Sequence, residues 1–115
     1  PVTLEDKRLV SMPPCSHLMS NFDGSLLVGD GCGSPADVAD AGSHDIVTDP
    51  FLHVFDLKAG TVRAVAHHDS SWRVHKGSRQ VTHPHPSFTP DEKQILFSSD
   101  AEGEPALYLA DVSAT

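Results

Sequence analysis

His83 and His85 stand two residues apart in the stretch RQVTHPHPSF, each directly before a proline, with Gln80 three residues ahead of the first. Imidazole nitrogens and amide oxygens are ligands for borderline divalent ions. A proline pushes the residue before it toward extended backbone, and residues two apart on an extended strand point to the same side. The spacing therefore predicts two rings presented together, with little conformational freedom left to lose. Alone, an H-x-H pair is a weak signal, because surface histidines are common.

A third histidine comes from an internal repeat. The stretch HLMSNFDGSLLVGD from His17 matches HPSFTPDEKQILFSSD from His85: a lead-in, a turn at Asp23 or Asp91, an apolar strand, a small residue and aspartate. Stepping back six residues from either turn aspartate lands on histidine, His17 in one copy and His85 in the other. Three imidazoles and the amide oxygen of Gln80 would suit manganese, iron, zinc or nickel and leave open positions for water or substrate, the condition for chemistry at a metal. A cupin also uses H-x-H, but it needs a carboxylate shortly afterwards and another histidine downstream. No histidine follows His85.

The elements that would position these groups follow from the same repeat. LHVFDLKAG from Leu52 parallels LYLADVSAT from Leu107, each an alternating strand that ends in aspartate before a turn, and TVRAVAHH adds a fourth strand to the first copy. Asp23 to Asp56 spans 33 residues and Asp91 to Asp111 spans 20, so the first copy carries 13 more, within a Gly- and Asp-rich stretch. Repeated four-stranded antiparallel units describe an all-β protein of the β-propeller kind, with a β-sandwich as the alternative. The expected organisation is the last strand of a preceding blade in residues 1–14, a blade in 15–70 with a long acidic insertion loop at 30–50, and an inter-blade loop with an incomplete final blade in 71–115. In a propeller the first strand of each blade lines the channel at a sheet edge, where Pro84 and Pro86 are tolerated. About two blades cannot close a ring, so the open faces would be covered by further blades or by self-association.

Composition narrows the function classes. With 115 residues the chain is one small unit or a piece of a larger one, and 38% hydrophobic content with nine prolines and eight glycines fits a turn-rich globular chain. A net charge of −8 argues against a nucleic-acid or anionic-membrane partner, which needs a basic field. Arg73, Lys76 and Arg79 nevertheless gather just ahead of His83, so an anionic small molecule could be drawn to that neighbourhood. No apolar run reaches the roughly 20 residues of a membrane span, and the first residues have no signal-peptide pattern. Cys15 and Cys32 are read as buried thiols rather than a disulfide. His44, His53, His67, His68 and His75 have no comparable geometric argument and are read as ordinary surface or core residues.

The segment HPHPSFTPDEKQILFSSDAEGEPALYLADV resembles the TolB-like propeller repeat. The combination of MPPCSHLMSNFDGSLLVGDG, DPFLHV and RQVTHPHPSFTPD resembles the C-terminal part of the oligogalacturonate lyase family, over essentially the whole chain. That resemblance implies about two blades of a seven-bladed propeller. It also implies β-elimination on small oligogalacturonates from pectin, mainly the disaccharide, with a bound manganese ion. Carried over motif to motif, the family's metal ligands fall on His17, Gln80, His83 and His85, the set reached from the repeat. Its general base is a histidine on an earlier blade, outside this chain, so the chain alone is expected to be inactive. Arg79 is either a second clamp on a uronate carboxylate or a solvated surface arginine. A cytoplasmic location follows only from the family and the lack of a visible export signal. The competing reading is a non-catalytic TolB-like fragment used for protein interaction, with incidental histidines.

Overall fold

The computed structural model describes residues 5–32, 49–72 and 82–112. Among them there are seven strands and no helix: β1 (Cys15–Ser20), β2 (Leu26–Gly31), β3 (Phe51–Asp56), β4 (Thr61–His67), β5 (Ser87–Phe88), β6 (Gln94–Ser99) and β7 (Ala106–Asp111). They form a four-stranded sheet in the order β1-β2-β3-β4 and a three-stranded sheet in the order β5-β6-β7, antiparallel throughout.

The two sheets begin with the same hairpin, and its turn chemistry shows why. Asp23 Oδ1 accepts the N–H of Ser25 at 2.9 Å, and Asp91 Oδ1 accepts that of Lys93 at 3.1 Å, the local bond that makes aspartate a turn residue. Asn21 Oδ1 and Thr89 Oγ1 then take the N–H of Leu26 and Gln94. The pairing that follows is equivalent: Met19 with Val28 and Ser20 with Leu27 in the first sheet, Ser87 with Leu96 and Phe88 with Ile95 in the second. Both turns need a left-handed residue, supplied by Gly24 at φ 75° and by Glu92 at φ 61°.

The core lies between the sheets. Val28, Leu52 and Val54 of the first meet Ile95 and Phe97 of the second and Val112 just after β7, with Leu26, Phe88 and Tyr108 against them. Period-two alternation places Leu52 with Val54 and Ile95 with Phe97 on single faces, and each such side chain contributes about 1.5–3 kcal/mol when fully buried. Hydrogen bonds close the seam. Ser99 Oγ donates to the His68 carbonyl, Ser70 Oγ donates to the Thr82 carbonyl at 2.6 Å, and the Ser71 N–H donates to Asp100 Oδ1 at 2.7 Å.

Three features differ from the sequence reading. Residues 5–14, expected within a strand, carry no regular structure, and the consecutive Pro13 and Pro14 offer no ladder N–H. The acidic loop assigned to 30–50 starts later, since Asp30 and Gly31 belong to β2 and Asp30 is wholly buried; residues 33–48 lie outside the described set. The first strand of the second sheet is only two residues long, because Pro84 and Pro86 cannot extend the ladder toward His83.

Candidate metal centre

His17 sits in β1 at a bulge. The register passes from Cys15 opposite Gly31 to Leu18 opposite Gly29, so Ser16 and His17 together face the single residue Asp30. A two-against-one bulge leaves N–H groups out of the ladder and re-aims the side chain. Asp30 takes up both: its Oδ1 accepts the N–H of Ser16 at 3.1 Å and of His17 at 2.7 Å, while Oδ2 lies 2.7 Å from His17 Nδ1. Close packing against Gly29 holds the strand here, since a Cβ on that residue would lie 2.8 Å from Leu18 Cδ2 and 2.9 Å from Cys15 Sγ.

His83 and His85 approach from the other sheet, in the segment leading into β5. The backbone corrects one expectation. His85 is not extended: its φ is +44°, left-handed, despite the proline that follows. Proline disfavours this region for its predecessor, and such residues cost on the order of 1–3 kcal/mol each. The surroundings impose the turn, because Pro84 and Pro86 are both buried and the Pro84 carbonyl accepts the Ser98 N–H at 2.8 Å. The result brings the His85 ring to 3.7 Å from that of His17, centroid to centroid, with His83 at 5.0 Å from His17 and 5.6 Å from His85.

One ligand nitrogen from each of the three rings lies within 4.8 Å of the other two. Three nitrogens bound to one ion at about 2.1 Å stand roughly 3.0–3.6 Å apart, so the rings would draw together by about 1–2 Å to share one ion. His17 and His83 are half-buried and His85 is exposed, which leaves the cluster an open side. The donor set fits a borderline divalent cation. Gln80 and Arg79 lie outside the described residues.

Two neighbours were not singled out from the sequence. In sequence Asp30 merges with the acidic stretch, and its one distinguishing sign is its place as the aspartate ending the repeat's apolar strand. Trp72, the sole tryptophan, packs its ring 4.8 Å from His83, and its buried Nε1 has no hydrogen-bond partner among the described residues. The remaining described histidines serve the fold. His68 is buried, with Nε2 donating to the Gly31 carbonyl at 2.9 Å and Nδ1 accepting the Ser70 N–H at 3.0 Å, and burial lowers its pKa from the usual imidazole value. His53 Nε2 contacts Asp49 Oδ2 at 2.8 Å, and His67 packs on Phe51. Both cysteines are free and only half-buried. Burial first, then the charges of Asp30 and its neighbours, pushes the Cys15 thiol up to about 12.

Two antiparallel sheets with a cluster of three histidines at their junction define an all-β unit whose gathered imidazoles could hold a metal ion. The chain belongs to the oligogalacturonate lyase family, whose sequence model matches residues 1–115. It is 64% identical over 112 residues to an oligogalacturonate lyase of Dickeya dadantii strain 3937 and 65% identical over 112 residues to an oligogalacturonide lyase of Pectobacterium atrosepticum. Each match covers 97% of this chain and 29% of the relative, so the chain spans under a third of their length. Among solved structures it is similar to an oligogalacturonate lyase in complex with manganese (TM-score 0.76, 61% identity) and to the Vibrio parahaemolyticus oligogalacturonate lyase (TM-score 0.79, 54% identity). Both structural matches cover 94% of this chain and 26% of the other.

Proposed function

We propose that this chain is the metal-bearing portion of an oligogalacturonate lyase, acting on small oligogalacturonates by β-elimination once joined to the rest of the protein. The observation that carries the reading is the convergence of His17 with His83 and His85 from two different sheets, in a chain 61% identical to a lyase solved with manganese. In this reading the two sheets are adjacent blades of a propeller. The exposed apolar residues Leu18, Met19, Leu107 and Leu109, the third 71% accessible, would then be covered by neighbouring blades or by a second copy.

His17, His83 and His85 would hold manganese through neutral imidazoles, with the amide oxygen of Gln80 as a fourth ligand. A bound cation would stabilise the negative charge that builds on the uronate as its C5 proton leaves. Arg79 would orient the substrate by pairing with a uronate carboxylate. The proton acceptor would come from the part of the lyase outside this chain, with the glycosidic oxygen departing from C4.

The test uses a chimera: the Dickeya lyase with its matching 112-residue stretch replaced by this chain. Manganese is measured by elemental analysis after dialysis, and turnover by the ultraviolet absorbance of the unsaturated product. Near-stoichiometric metal and turnover, both lost in the His83→Ala, His85→Ala double variant, are expected. Turnover that survives the double substitution would sink the reading.

A further inference from the structure

Of the two ring nitrogens of His17, Nδ1 meets a buried carboxylate. Nδ1 lies 2.7 Å from Asp30 Oδ2, and Asp30 is 0% exposed. Oδ1 accepts two backbone N–H groups, and a carboxyl group that accepts at Oδ2 as well puts the ring proton on Nδ1 and leaves the lone pair on Nε2. We propose that Asp30 is a positioning residue of the centre: it fixes His17 as the Nδ1–H tautomer and thereby makes Nε2 the nitrogen offered to a cation. The metal half of this statement rests on the reading of His17 as a ligand given above; the tautomer half does not.

The two oxygens of Asp30 divide the work. Oδ1 accepts the N–H groups of Ser16 and His17, which fixes the bulge, while Oδ2 meets the ring. A carboxylate behind a ligating histidine sets both ring orientation and ligand basicity, and loss of such a partner typically costs about 10–100-fold in metal affinity. At Asp30 this role is joined to a backbone role through the bulge. One side chain shapes the strand and aims the ring.

The division makes the roles separable by Asp30→Asn. Two backbone donors demand an acceptor at Oδ1, so the amide oxygen occupies that place and the bulge is kept. The NH2 group then points at His17 Nδ1, which must become an acceptor, and the ring proton moves to Nε2. A purely structural aspartate would tolerate the change, whereas a tautomer-setting one would not.

The experiment is done in the chimera with 15N-ring-labelled histidine, about two pH units above the ordinary imidazole pKa of 6.5. Long-range nitrogen–proton correlations report the tautomer, with the His17 signals assigned by their loss in His17→Gln. Wild type is expected to show Nδ1–H, and Asp30→Asn to show Nε2–H with a circular dichroism spectrum unchanged and manganese bound about 10–100-fold more weakly. An Nε2–H ring in wild type, or an Asp30→Asn protein with unchanged tautomer and unchanged manganese affinity, overturns the proposal. A wild type with the expected tautomer that binds no manganese refutes the metal reading instead and leaves the tautomer assignment standing.

Discussion

Glu92 occupies the left-handed turn position that Gly24 fills in the first sheet, and its side chain bridges the two sheets. Its carboxylate accepts the N–H of Phe22 at 3.0 Å and the amide of Asn21 at 3.3 Å. Two effects oppose each other. A non-glycine residue in the left-handed region costs roughly 1–2 kcal/mol, of which glycine would return about 0.5–1 after its greater freedom in the unfolded chain is subtracted. The two half-exposed bonds contribute on the order of 0.5–1 kcal/mol each, since both are longer or wetter than an ideal charged bond. Glu92→Ala keeps the strain and loses the bonds, so it should destabilise by about 1–2 kcal/mol. Glu92→Gly loses the same bonds but relieves the strain, so it should fall short of wild type by only ~0.5–1 kcal/mol. Urea unfolding of the chimera, followed at the transition that contains these sheets, measures both. If the alanine variant were as stable as the glycine variant, the strain argument would fail. If both matched wild type, the bridge would carry no energy.

Other expectations follow from individual contacts. His68 is held neutral by burial, so the unfolded chain binds its proton more readily than the folded one; stability should be complete above about pH 6.5 and fall as pH drops from there through the lowered folded value. Urea midpoints at successive pH values should therefore show a slope in wild type that flattens in His68→Gln, well above the window near pH 3.8 and below where the lowered carboxyls of Asp23 and Asp91 act. Cys15, with its thiol pushed up to about 12, should react with iodoacetamide in the folded protein about a hundred- to a thousand-fold more slowly than an ordinary cysteine, by mass spectrometry, and recover in urea. Gly29→Ala should destabilise by about 1–3 kcal/mol and weaken manganese binding in the chimera, because the added methyl meets Leu18 and Cys15 on either side of the bulge; an unchanged affinity would mean that the bulge does not aim His17.

What could be read from the sequence was the chemistry that is local. The turn aspartates Asp23 and Asp91 bond the backbone two residues on, so the same residue types recur wherever the turn recurs, and the match of His17 to His85 could be found from them. What could not be read is set by neighbours distant in the chain. The pre-proline rule predicts an extended His85, but the burial of Pro84 and Pro86 and the bond from Ser98 override it. Asp30 looks like one more acid beside an acidic stretch until the bulge places Ser16 and His17 against it. Glu92 looks like a solvated turn residue because Asn21 and Phe22 are far away in sequence. Sheet type and repeat were legible, and so were the three histidines that converge; the carboxylate behind one of them, the turn that brings another close and the tryptophan against the third were not.

These long-range contacts also explain how rings from separate sheets come to face one another. His17 is fixed from behind by Asp30, and the adjoining turn is clipped to the second sheet by Glu92. His83 and His85 flank Pro84, whose carbonyl is tied to β6 through Ser98. Residue 82, immediately before His83, accepts from Ser70, and Ser71 is bound to Asp100, so the chain between the sheets is anchored where it leaves the first and where it enters the second. Each ring is thus placed by contacts that differ from those placing its neighbours, and the distances among the three depend on the seam between sheets more than on any one strand. The cost of ordering the donors, including the left-handed turn at His85, is then met by core burial and seam bonds during folding and not by a ligand at the moment it binds, which is the condition for a preorganised site. Substitutions at the seam, remote from the rings, should therefore act on cation affinity as well as on stability, whereas substitutions on the outer strand β4 should leave affinity alone.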